Sequence, residues 1–184
     1  MVSAKMSNYL ASNRNKIILL IAISLLIFTL WESGFEKKYE EALVSVTNVT
    51  LNIVKKDTHI KLEETANNNS YQFRVYTRIQ GRKGNYPQET GGLMEPFVIV
   101  LSWQLFLFFV INKKTAFKLL AVNISVFMAI QVLFLYFLTG YYNSAIQKFL
   151  FDMMLDNFYI IALILVIKDN MLYPVFKRPH QIQS

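Results

Sequence analysis

The chain has 184 residues, of which 54% are hydrophobic, 15% aromatic and 17% charged, with a formal net charge of +7 and no cysteine. Soluble domains carry about a quarter charged residues, so this balance excludes a disordered chain, a coiled coil and an ordinary cytosolic enzyme. Without cysteine there is no disulfide, thiolate nucleophile, cysteine-ligated zinc or iron–sulfur cluster.

Residues 17–31 (IILLIAISLLIFTLW) follow Arg14 and Lys16 and end at Glu32, which predicts a first membrane helix extending toward Phe35 with Lys16 snorkelling. The residues after it lack the small-x-small pattern of a signal-peptide cleavage site, so the helix is expected to be retained. Next, Phe35, Tyr39, Leu43 and Val46 recur at helical spacing between Glu36, Lys37, Lys38, Glu40 and Glu41. That is an amphipathic helix pattern, and only Gly34 weakens its continuity with the first helix.

From Val44 the period moves toward two. Val44, Val46, Val49, Leu51 and Ile53, then residues 59–63 and 71–79, predict two or three strands, with Asn67, Asn68, Asn69 and Ser70 as the turn of a hairpin. The hairpin's apolar face, Ile60, Leu62, Phe73, Val75 and Ile79, is expected to rest on the amphipathic helix or on a partner, because a lone hairpin is marginal in water. Gly81, Gly84, Pro87, Gly91 and Gly92 then mark a loop leading to Glu95 and Pro96.

Three further apolar blocks follow, at 96–111, 119–138 and 158–175, the last interrupted by Lys168, Asp169 and Asn170. Between the last two, residues 141–157 interleave Phe149, Leu150, Met153, Met154 and Leu155 with Lys148, Asp152 and Asp156, the pattern of an amphipathic helix lying on the outer membrane surface, a platform under the hairpin. The expected fold class is therefore membrane α-helical: four transmembrane helices with a small α+β extracytoplasmic domain inserted between helices 1 and 2. The expected divisions are a cytoplasmic N-terminus at 1–16, helix 1 at 17–33, the extracytoplasmic domain at 34–94, helices 2 to 4 within 95–175 and a cytoplasmic tail at 176–184.

Charge supports that orientation. With the N-terminus cytoplasmic, the inside holds Lys5, Arg14, Lys16, Lys113, Lys114, Lys118, Lys168, Lys177 and Arg178 against Asp169 alone, and the outside keeps the other ten basic residues and eleven acids. Short loops obey the positive-inside rule, and the long 32–95 segment translocates largely regardless of charge. The basic excess thus reports topology and needs no nucleic acid; anionic headgroups at the cytoplasmic face are the simpler partner for Lys113, Lys114, Lys177 and Arg178.

Candidate chemistry is sparse. His59 shares a strand with Ile60 and Leu62 but points to the other face, and His180 lies in the polar tail; neither has a second ligand at metal-binding spacing, so no metal or cofactor site is expected. Glu36, Glu40, Glu41, Glu63 and Glu64 lie among lysines and read as solvated faces with weak ion pairs rather than catalytic acids. Gly81-Arg82-Lys83-Gly84 lacks P-loop spacing, and the Asn48-Val49-Thr50 and Asn68-Asn69-Ser70 acceptor patterns carry weight only in a eukaryotic source.

Polar residues inside spans matter more, since each must find a partner. Gln104 and Gln131 sit near the middle of spans two and three and are expected to hydrogen-bond to each other; Asn123 lies nearer the cytoplasmic end of span three. All three are candidate interhelical or partner contacts. No acid or base stands in the middle of a span, which argues against a proton relay or an intramembrane protease.

One helix, an exterior helix-plus-strand segment and then three helices form an order that resembles the small membrane proteins accompanying exosortases, particularly the exosortase H-associated type. The similar parts are the strand ending in Arg74-Val75-Tyr76-Thr77, the descent through Gly92 to Pro96 and the aromatic-rich second span. The resemblance implies a partner of a membrane transpeptidase-like enzyme in a Gram-negative inner membrane. The enzyme's own nucleophile is a cysteine, which this chain lacks, so no catalytic residue carries over. The expected function is a non-enzymatic accessory protein of the bacterial inner membrane, with both termini cytoplasmic. A sensor using the exterior domain and a small transporter or channel subunit are the alternatives.

Overall fold

The computed structural model describes residues 2–65, 71–89 and 94–176, with the main chain alone at 2–12. The Asn67–Ser70 turn, Gly91, Gly92, His180, the second acceptor pattern and the side chains of Lys5, Lys177 and Arg178 lie outside the described residues. Among the described residues, five α-helices and a three-stranded sheet form the fold: α1 (Val2–Leu30), α2 (Glu36–Val54), β1 (His59–Glu64), β2 (Tyr71–Ile79), β3 (Arg82–Glu89), α3 (Pro96–Val110), α4 (Lys113–Leu138) and α5 (Ala145–Leu172).

α1 and α2 follow one another across a kink at Trp31–Phe35, where Gly34 takes a non-helical φ of 107°. Only glycine enters that region without strain, so Gly34 sets the junction of two helices in a kinked α1–α2 rod. Ile23, Ile27 and Trp31 are buried along α1, while Ile21, Leu25, Leu26 and Phe28 stay exposed. Beyond the turn, Tyr39, Leu43, Thr47 and Leu51 recur every four residues on the buried face of α2. The strand expected from Val44 to Ile53 is therefore helix. Its β-branched residues lower helix propensity only slightly, and burial of a four-residue stripe outweighs that cost.

The sheet is an antiparallel meander in the order β1-β2-β3. Ile60 pairs with Val75, and Val75 with Tyr86. Ile60, Phe73, Val75 and Tyr86 are buried with Leu43 and Leu51 of α2 in one core, and Leu62 and Ile79 pack at its margin. The apolar face thus rests on the amphipathic helix, as expected. The loop expected from Gly81 is instead β3, entered by a two-residue turn with positive φ at Gln80 (48°) and Gly81 (81°). Pro87 is tolerated because β3 is an edge strand and needs hydrogen bonds on one side only. The other edge is closed locally: the Asn48 amide donates to Ile60 O (2.8 Å) and accepts from Ile60 N–H (2.9 Å).

Among the described residues, three helices are long and apolar enough to cross a membrane: the run Asn13–Val54, Lys113–Leu138 and Ala145–Leu172. Four were expected, and the exception is α3. Its 15 residues rise about 22 Å, against a hydrocarbon core of about 30 Å. α3 is nevertheless the central helix, packed by α1, α4 and α5 and buried on most sides. Its first turn meets a cluster of rings instead of a surface: Phe97 stacks on Tyr39 (4.1 Å) and touches Trp31 (6.0 Å) and Phe127 (6.1 Å). Phe127 lies eleven residues before the end of α4, about 16 Å below it. α2 packs against α4 and against β1.

The surface helix expected at 141–157 is also corrected. Residues from Ala145 onward belong to α5, capped by Ser144, whose Oγ accepts from Gln147 N–H. Phe151, Met154, Phe158, Ala162, Leu165 and Asp169 form one unbroken buried stripe. Asp152 and Asp156 fall off that stripe, so they do not interrupt the helix.

Candidate functional site

Two buried polar clusters sit inside the helices. The first joins three of them near the α3–α4 turn end. Asp169 of α5 is fully buried, and its Oδ2 accepts from Gln104 Nε2 of α3 (2.7 Å) and from Asn123 Nδ2 of α4 (2.7 Å). Lys168 Nζ lies 3.2 Å from Asp169 Oδ1 and donates to Asn123 Oδ1. The cluster therefore neutralises one buried carboxylate with an adjacent ammonium and two amides. Gln104 Oε1 remains buried without an acceptor role.

The second cluster lies toward the sheet end. Tyr39 of α2 donates to Gln131 Oε1 of α4, and Gln131 Nε2 donates to Met94 Sδ (3.0 Å). Glu40, the next residue on α2, is also fully buried. This corrects the reading of Glu40 as solvated; Glu41 is exposed and Glu36 half-buried.

All three expected polar residues are buried, but the structure groups them differently. Gln104 meets Asn123, through Asp169, and does not meet Gln131. The reason is depth: α3 and α4 are joined by Ile111 and Asn112 alone, so Gln104 is about 9 Å and Gln131 about 27 Å from the ends at that turn. Asn123, about 15 Å from it, is the closer match. Asp169 and Tyr39 were missed. Counting residues from the turn would have separated Gln104 from Gln131, but nothing in the sequence placed the end of α5 beside Asn123.

The sheet is bound to the helix ends by polar ties. Tyr86 Oη donates to Leu138 O at the end of α4, and burial pushes the Tyr86 phenol's pKa up. Asn143, between α4 and α5, accepts from Gln80 N–H (3.1 Å) and donates to Arg78 O. Lys55, after α2, donates to Thr139 Oγ1 (3.3 Å) and Gln147 Oε1 (3.5 Å) and lies over the Tyr136 ring. On the sheet's other face, Arg74 and Tyr76 both donate to Glu63, and the Arg74 bond is the main cause that holds Glu63 below the usual carboxylate range. His59 stacks on Tyr76 (4.7 Å). Among the described residues, no three His, Cys, Asp or Glu side chains gather at metal-binding distance.

One hollow of about 370 Å³ lies beside Lys37, Glu63 and Tyr71, and others open elsewhere on the surface. A groove of about 240 Å³ runs beside the α1–α2 turn, lined by Ile27, Leu30, Gly34, Phe35, Lys38 and Leu101. A wider hollow of about 350 Å³ lies between the end of α2, β2 and the α4–α5 turn, where Lys55, Lys56 and Arg78 meet. The fold is that of a helical protein with three membrane-capable helices and a small α+β part. No family model matches this sequence, and no curated protein or solved structure is significantly similar to it.

Proposed function

We propose that the chain is a multi-pass membrane accessory protein that performs no catalysis and holds another membrane protein along the α1–α2 rod. The observation that carries this reading is the rod's second, exposed apolar face. Val46, Val49 and Ile53 are 44%, 62% and 79% exposed, at helical spacing on the side of α2 away from the buried stripe that supports the sheet. Ile21, Leu25, Phe28 and Phe35, before and at the kink, are exposed apolar residues as well. An exposed apolar face that runs beside a polar sheet marks an interaction surface, and the occupant proposed for it is another membrane protein. The positive-inside pattern and the Lys16 Nζ bond to Val175 O support cytoplasmic termini, with α3 carrying the chain back toward that side although it is shorter than a span; the resemblance makes a cysteine-dependent transpeptidase of the bacterial inner membrane the specific partner to seek.

The polar ties favour a rigid platform over an independent ligand-binding module, since the sheet's anchors lie on α4 and the α4–α5 turn. A transport path is less supported, because Gln104, Asn123 and Gln131 are engaged with Asp169 and Tyr39. The test is affinity purification of the full chain in mild detergent, alongside Val49→Glu with Ile53→Glu. The expected result is a stoichiometric membrane-protein partner that the double variant loses while remaining folded. Recovery of the chain alone, or a partner indifferent to the variant, would overturn the proposal.

A further inference from the structure

The hollow at the sheet end is basic and bordered by apolar side chains. Lys55 is half-buried there and its polar partners, Thr139 and Gln147, are both neutral, with the Tyr136 ring beneath its ammonium. Burial lowers its pKa from the ordinary lysine value, as expected for a cation without a facing anion. Lys56 and Arg78 add two exposed cations, and the carboxylate present, Asp57, is already engaged by Arg78 Nη2 (2.7 Å). Asn143 fixes the arrangement by holding the Arg78 carbonyl and Gln80 N–H. The residues next to Lys55 and Gln147 are apolar and open: Ile53, Val54 and Ile146, the last 72% exposed. A net positive hollow with an apolar border has the chemistry to take an anionic amphiphile.

We propose that Lys55, Lys56 and Arg78 bind the headgroup phosphate of an anionic phospholipid from the leaflet on the sheet side, with its chains following Ile146 and Phe149 of α5. This rests on the membrane reading above. It concerns the leaflet opposite the basic α3–α4 turn, where Lys113 and Lys114 lie. The site's height is consistent: Lys55 meets the first residues beyond α4 and the first turn of α5, where the chain leaves an apolar core for headgroups.

The test uses the full chain purified in non-ionic detergent and stripped of lipid, its thermal unfolding followed as phosphatidylglycerol, phosphatidylcholine or inorganic phosphate is titrated in. Stabilisation by phosphatidylglycerol alone is expected. Lys55→Gln and Lys56→Gln should each weaken its apparent affinity about fivefold, the factor that corresponds to about 1 kcal/mol per basic residue near a bilayer surface. Lys55→Arg should retain it, and Lys61→Gln, which removes one charge from the sheet's exposed face, should leave it unchanged. Equal stabilisation by phosphatidylcholine, or equal losses in Lys55→Gln and Lys61→Gln, would overturn the site. Inorganic phosphate acting at the same concentrations would overturn the lipid as occupant. Extraction of the chain from native membranes by alkaline carbonate would overturn the membrane reading, whereas a retained chain that fails the titration refutes the lipid site alone.

Discussion

Replacing Asp169 by alanine would leave the Gln104 and Asn123 amides without their acceptor and Lys168 without its ion-pair partner, all next to a fully buried position. Unpaired buried polar groups cost about 1–3 kcal/mol each. Asp169→Ala should therefore destabilise the protein by roughly 2–4 kcal/mol in detergent unfolding, and Asp169→Asn, which keeps one acceptor, by less. A double-mutant cycle should find coupling between Tyr39→Phe and Gln131→Ala, but additivity within about 0.5 kcal/mol for Gln104→Ala with Gln131→Ala, whose sites share no partner. The apolar surroundings made these polar residues conspicuous in the sequence. Their partners were not legible, because Tyr39 lies 92 positions from Gln131 and Asp169 read as the polar end of a span. Glu63 gives a different check. Its folded pKa lies below its unfolded one, so the stabilisation is complete above about pH 4.3, the ordinary glutamate value, and is lost as pH falls through the lower folded pKa. Arg74→Gln should move the Glu63 titration upward in an NMR titration and reduce that acid-side loss of stability, the Tyr76 bond keeping part of it.

Among the elements, α5 shows how a pattern can be right in its residues and wrong in its boundary. The interleaved charges at 148, 152 and 156 suggested a separate surface helix, yet the buried stripe from Phe151 to Asp169 keeps helical spacing across the supposed break. Asn157→Pro distinguishes the two arrangements. In a continuous helix it removes a backbone hydrogen bond and clashes with the preceding turn, at about 3 kcal/mol or more, whereas at a junction it would be nearly neutral. Thermal unfolding of the variant reads the difference. β3 escaped notice for the opposite reason, since Gly84, Pro87 and a run of polar residues hide an edge strand whose inward-facing apolar residue is Tyr86. In α2, β-branched residues imitated a strand until the four-residue burial of Tyr39, Leu43, Thr47 and Leu51 decided for helix.

At the scale of the whole molecule, the α+β part does not stand apart from the helices. Tyr86, Lys55, Gln80 and Tyr39 all find partners beyond residue 130, on α4, α5 or the turn between them. A fragment containing residues 33–94 alone should therefore remain unfolded, with little amide protection from hydrogen exchange in β1, β2 or β3; a protected sheet would show that the ties are dispensable. The long apolar helices and the existence of an α+β insertion were legible from hydropathy and period. The number of membrane-capable helices was not, because the apolar block at 96–111 has a span's composition but, as α3, less than a span's length.

That shortness bears on how the chain would be made. A segment of 15 residues, carrying Gln104 in its middle and ending two residues before α4, is a poor candidate for insertion on its own. In the proposed bilayer setting it would enter with α4 as a helical hairpin and gain its polar partner at Asp169 only after α5 had been synthesised. Biogenesis would then have a late checkpoint: until the last helix arrives, the central one is an unfinished substrate that membrane quality control can recognise.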